Sequence, residues 1–109
     1  MSQGVEPLPK ITLIYWRDIP SQVIVQRGRT REKALLSARF QEAIDRAAMR
    51  AGKGSSDAYM SEWDRKTSSL ESEQDLADIA AAELSRLESE FSDELLLELI
   101  RNHGSMSEK

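Results

Sequence analysis

ITLIYWRDIPSQVIVQRGRTR, residues Ile11 to Arg31, decides the fold. Ile11 to Trp16 is an unbroken run of β-branched, aromatic and aliphatic residues of strand length. Ile11, Leu13 and Tyr15 fall on one side of such a strand and Thr12, Ile14 and Trp16 on the other, so both faces are substantially apolar and the strand belongs inside a sheet. Pro20 has no amide hydrogen to give a ladder and presses Ile19 towards an extended backbone, which makes Asp18 to Ser21 a turn. Gln22 to Gln26 then reads as the antiparallel neighbour, and Gly28 marks a second turn or a bulge. Beyond it, Lys33 to Leu36 completes a meander as a short third strand.

Outward from this stretch the periodicity changes. Ser37 is placed to cap a helix in which Phe40, Ala43, Ile44, Ala47 and Ala48 form one stripe at three-and-four spacing. Gly52 and Gly54 end it, Gly52 in a left-handed position. Ser55 to Leu70 fits either period; the poor helix formers after Trp63 favour an extended segment that returns to the sheet. Further on, Ser72 with Asp75 resembles a capping box before the apolar stripe Leu76, Ile79, Ala80, Leu84, Leu87 and Phe91. Ser92, with Asp93 and Glu94 in the favourable first turn, starts a second segment containing Leu95, Leu96, Leu99 and Ile100. The pattern leaves open whether these are one kinked helix or two.

The expected fold class is α+β: a small antiparallel sheet of two to four strands packed against a central helix and an acidic C-terminal helix or helical pair. Residues 1–9, with three of their number Gly or Pro, read as a flexible arm, 10–104 as one domain whose acidic helical part begins at about 71, and 105–109 as a flexible tail. At 109 residues the chain is long enough to bury a core of its own. It has no cysteine, no signal-like start and no apolar run long enough to span a bilayer, so a cytoplasmic location is expected and no membrane partner.

Charge is divided along the chain. Residues 1–66 carry twelve Lys and Arg against eight Asp and Glu, and residues 67–109 carry three against eleven. Either the acidic helices simply present solvated outer faces, or the basic half meets an anionic partner while the acidic half limits non-specific binding to nucleic acid.

No spacing for catalysis stands out. The single His103 sits near a helix C-terminus, where a cationic imidazole complements the dipole. With one histidine and no cysteine, neither a transition-metal site nor a triad is expected, and no cofactor. Asp75, Asp78, Glu83, Glu88 and Glu90 fall where an amphipathic helix needs an outward polar face.

The basic cluster is the best candidate site. Arg27, Arg29, Arg31 and Lys33 alternate around Gly28, so in an extended segment they project to one side as an array suited to phosphate or carboxylate, with Arg17 close by at the adjacent corner. The same charges also suit an edge that discourages strand-to-strand aggregation. Trp16, Asp18 and Pro20 form a candidate interaction corner, in which Trp16 is either core packing or an exposed anchor.

The chain resembles the small bacterial family known as virulence factor, a domain also found at the end of longer HEAT-repeat proteins called conserved virulence factor C. The resemblance rests on IYWRDIPSQVIVQRGR (Ile14 to Arg29) and RFQEAIDRAAMRAG (Arg39 to Gly52), with a weaker echo in DAYMSEW (Asp57 to Trp63). It covers about the first two-thirds of the chain and fades in the acidic tail. It implies an accessory domain without an assigned activity and, through frequent neighbours that carry out folate- or corrinoid-dependent methyl transfer, a one-carbon connection. Three readings follow. The first is a non-catalytic module that contacts a protein partner through the Arg-rich sheet edge. The second is an accessory subunit of a one-carbon methyl-transfer enzyme whose arginines hold an anionic folate or corrinoid group. The third, nucleic-acid binding through the same arginines with Tyr15, Trp16 or Tyr59 stacking, is disfavoured by a sequence pI near 5.0.

Overall fold

A computed structural model describes residues 8–52 and 56–106. Its elements run β1 (Lys10–Trp16), β2 (Ile19–Arg27), β3 (Thr30–Leu35), α1 (Ala38–Arg50), α2 (Ser56–Met60), β4 (Trp63–Ser69), α3 (Leu76–Glu90) and α4 (Asp93–Arg101). The four strands form one antiparallel sheet in the order β3-β2-β1-β4. This is the α+β class that the sequence predicts, with β1 inside the sheet as its two apolar faces require.

The register assigns the two faces. Ile11 pairs with Val25 and Leu13 with Val23, and Val23 in turn pairs with Ala34. Directly paired residues point to the same side of a sheet, and this side meets the helices: Val23 and Val25 are fully buried, while Ile11, Leu13 and Ala34 pack against the core. α3 lies across β2 and β3 on this face and brings in Leu76, Ile79, Ala80 and Leu87. α1 and α4 pack on each other, and Phe40 of α1 meets Phe91, the C-cap residue of α3, edge-on at 5.9 Å between ring centroids. Burying such apolar surface is the main stabilising term, at roughly 1.5–3 kcal/mol for each large aliphatic or aromatic side chain.

The opposite face carries a different set. One row across the sheet is Arg31, Gln26, Lys10 and Ser69, and the next is Lys33, Ile24, Thr12 and Thr67. The third is Leu35, Gln22, Ile14 and Arg65. Ile14 and Ile24 are half-buried and lie outside the core cluster, whereas Leu35 is 65% exposed.

Several local expectations are corrected. The third strand starts earlier than Lys33, because a two-residue turn at Gly28 (φ 59°) and Arg29 lets Thr30 pair with Arg27. Residues 56–60 are a short helix, so the extended return begins only at Trp63. Ser37 sits at the N-cap of α1 without capping it: its hydroxyl and amide both donate to the Glu88 carboxylate, at 3.0 and 2.7 Å. The Ser72–Asp75 box does not form either. Asp75 is itself the N-cap residue of α3, without a side-chain cap bond, and the Ser72 hydroxyl accepts from Gln74 N. Ser92 does cap, accepting from Leu95 N at 3.1 Å, and it separates two helices rather than kinking one.

Two residues of the segments read as arm and tail make contacts within the domain. Pro9 is fully buried and its carbonyl accepts from Leu70 N, while Met106 N donates to Asp18 Oδ2 at 2.6 Å. Residues 1–7 and 107–109, and the expected terminator Gly54, lie outside the described residues.

Candidate interaction site

The two turns of the meander hold their charged residues differently. In the β1–β2 turn, Arg17 takes a left-handed backbone (φ 56°), a conformation an L-residue keeps only where its surroundings hold it. Its amide donates to Glu62 O, its Nε pairs with Glu62 Oε1 at 3.2 Å, and its NH1 donates to His103 O at 2.8 Å. Asp18 N donates to Gly104 O at 2.8 Å. The corner is thus clasped to the turn that follows α4, where His103 (φ 63°) and Gly104 (φ 92°) are left-handed in succession. His103 is exposed and lies past the end of α4, which closes at Arg101.

Trp16 is the centre of this clasp and is 0% exposed. Its Nε1 donates to Tyr59 O at 2.9 Å and its ring stacks on Tyr59, which in turn meets Trp63 edge-on. Arg17 lies over the Trp16 ring, 5.2 Å from its centroid. Gly104 is required here because a Cβ on it would come within 2.8 Å of Trp16 Cζ3. Pro20 is buried as well. The expected interaction corner is therefore an internal joint, with Trp16 as core rather than anchor.

The expected one-sided array also needs correction. Arg27 shares the parity of Val23 and Val25 and turns to the helix side, where its NH2 donates to Ser72 O at 2.9 Å and Gln74 O at 3.1 Å, satisfying carbonyls just before α3. Arg31 and Lys33 pair with Gln26 and Ile24 on the opposite face. The turn at Gly28–Arg29 divides the series, because odd positions before a two-residue hairpin loop share a face with even positions after it. Arg29, Arg31 and Lys33 are exposed and make no ion pair or side-chain hydrogen bond among the described residues.

A third cluster escaped sequence reasoning. Arg39 donates to Phe91 O and Glu88 O, both at 2.7 Å, and pairs with Glu88 and Asp93 at 3.1 Å each. It closes the end of α3 against the start of α1 and α4. Burial alone would raise the Glu88 carboxyl, but the two Ser37 donors and the Arg39 guanidinium outweigh it and hold it below the ordinary glutamate value. Glu83 and Glu90 are likewise engaged, both by Arg86. Three of the five carboxylates assigned to an outward face are thus ion-paired. Arg86, Glu83 and Glu90 lie near Tyr15, whose hydroxyl is pushed up chiefly by burial, on the helix side of the sheet.

Arg17, Arg27, Arg39 and Arg86 brace the fold through these contacts. Among the described residues no three His, Asp or Glu side chains gather where they could hold a metal ion, and no helix is long and apolar enough to cross a membrane. A polar groove beside the clasp contains Arg17 but also Asp18, Glu62 and Asp64, a poor lining for an anion.

A four-stranded antiparallel sheet with α3 across one face and a cationic hairpin at its edge defines a small α+β domain. The family model described as "Virulence factor" matches residues 14–100, and the chain belongs to that family. The match runs through α3 and most of α4, so the acidic helices are part of the family domain, and the restriction of the resemblance to the first two-thirds is corrected. No curated protein and no solved structure matches the chain.

Proposed function

We propose that this virulence-factor domain is a non-catalytic interaction module that meets a protein partner through the β2–β3 hairpin and its edge, with Arg29, Arg31 and Lys33 making the contact. One observation carries this reading: these three cations stand exposed on a projecting hairpin, whereas Arg17, Arg27, Arg39 and Arg86 are bound within the molecule. A folate- or corrinoid-type anion would want guanidinium groups converging on a concavity, and the array is split between two faces. Exposed arginine at an edge suits recognition of a protein surface bearing carboxylates, where it sets specificity and encounter rate.

The test is a photo-crosslinking amino acid at Arg29, compared with one at Arg101 on α4, in cells that express the protein natively. A single defined protein adduct from position 29, lost when Arg31→Ala and Lys33→Ala are added, is expected. The same adducts from both positions, or substrate turnover by the purified chain, would overturn the proposal.

A further inference from the structure

We infer that the sheet face opposite α3, over the three rows from Arg31–Ser69 to Leu35–Arg65, is a docking surface for an acidic amphipathic helix of another protein. This rests on the interaction reading above and gives it a surface and a partner chemistry. Among the described residues these rows carry four cations, Lys10, Arg31, Lys33 and Arg65, and no carboxylate. All four are exposed and none makes an ion pair among the described residues. Between them lie Ile14 and Ile24 on the two central strands, and Leu35 extends this apolar floor to the β3 edge. The Gln22 amide lies in the same floor, and its buried Oε1 has no hydrogen-bond donor among the described residues. An apolar centre inside a polar rim is the anatomy of a protein interface.

Charge and shape select the occupant. A uniformly cationic rim attracts carboxylates, and a sheet face two to three strands wide accepts a helix about 10 Å across as its second layer. α3 already does this on the other side of the same sheet. Single-stranded nucleic acid needs aromatic platforms. Here Tyr15 points to the helix side and Trp16 is buried. An anionic membrane needs apolar groups that protrude, and Ile14 and Ile24 are half-buried. A second copy offers no suitable helix either, since the apolar stripes of α3 and α4 are spent on their own core.

The probe is a synthetic 14-residue peptide with leucines at helical three-and-four spacing and glutamates elsewhere, titrated into 15N-labelled full-length protein. Shifts of the Thr12, Ile14, Ile24 and Thr67 amides are expected, with binding weakened at least tenfold by Arg31→Glu plus Lys33→Glu and at least threefold by Leu35→Ser. An unchanged amide spectrum away from the substitutions verifies the fold of each variant. Equal binding of the same peptide with its leucines scrambled would reduce the site to bulk charge and overturn the inference. So would no binding, shifts confined to the helices, preferential binding to phosphatidylglycerol vesicles, or self-association that perturbs the same amides. If the peptide fails while crosslinking from Arg29 captures its defined partner, this inference falls alone; failure of both removes the interaction reading too.

Discussion

The two turns of the meander each place an arginine at or beside a left-handed residue, yet one is a structural joint and the other an open tip. At the β1–β2 corner the chain's far end folds back, and Arg17 spends its hydrogen bonds on Glu62 and His103. At the β2–β3 tip no described segment returns, and Arg29 is exposed. The difference teaches that an arginine's role is set by which distant backbone arrives beside it. Both turns are two residues long and begin on a left-handed residue, Arg17 (φ 56°) in one and Gly28 (φ 59°) in the other.

The comparison can be broken hardest at the joint. Trp16→Ala removes a fully buried ring and its bond to Tyr59 O and should cost about 3–5 kcal/mol, leaving the protein largely unfolded in a denaturant titration. A stable Trp16→Ala protein would mean that the corner is not central to the core. Next comes Gly104→Ala, where the added methyl meets the Trp16 ring and the left-handed backbone disfavours any side chain; a loss of about 1–3 kcal/mol is expected, seen as a lower thermal midpoint.

A smaller effect separates the brace at Arg39 from both turns. Because the folded carboxyl of Glu88 lies below its unfolded value, its contribution is complete above the ordinary glutamate range and fades as pH falls through the folded value. Glu88→Gln should therefore lower stability by about 1 kcal/mol near neutrality and converge with the parent protein in strong acid, as followed by thermal midpoint against pH. The smallest effect belongs to the open tip. Arg31→Ala with Lys33→Ala should change stability by no more than about 0.5 kcal/mol, while abolishing the crosslink made from position 29. A larger loss of stability would assign these two cations to the fold.

The meander and the amphipathic helices are legible because their signals are local. The apolar run Ile11 to Trp16 and the stripe Phe40–Ala48 each report within a few residues, whereas the turn expected at Asp18 to Ser21 closes earlier, at Arg17 and Asp18, and Pro20 pairs with Tyr15 inside β2. Tyr59 shows where this stops: its spacing to Trp63 fits strand and helix equally, and stacking on Trp16, forty-three positions away, is one of the contacts holding its helical turn. The caps divide along the same line. Ser92 bonds within its own turn as its position predicts, whereas Ser37 is drawn to Glu88, a partner fifty-one residues distant.

By itself the sequence determined the α+β class, the central place of β1, the helical stripes and the family, since these follow from backbone preference and burial period along a short stretch of chain. Only the tertiary structure decided what the charges do. It turned Trp16, Arg17 and Arg27 inward, tied Glu88 to Ser37 and Arg39, and gathered Lys10, Arg31, Lys33 and Arg65 from three strands onto one face. The physical reason is that a charge is satisfied by whatever group lies within about 3 Å of it, and chain register and packing, rather than neighbouring letters, bring that group there.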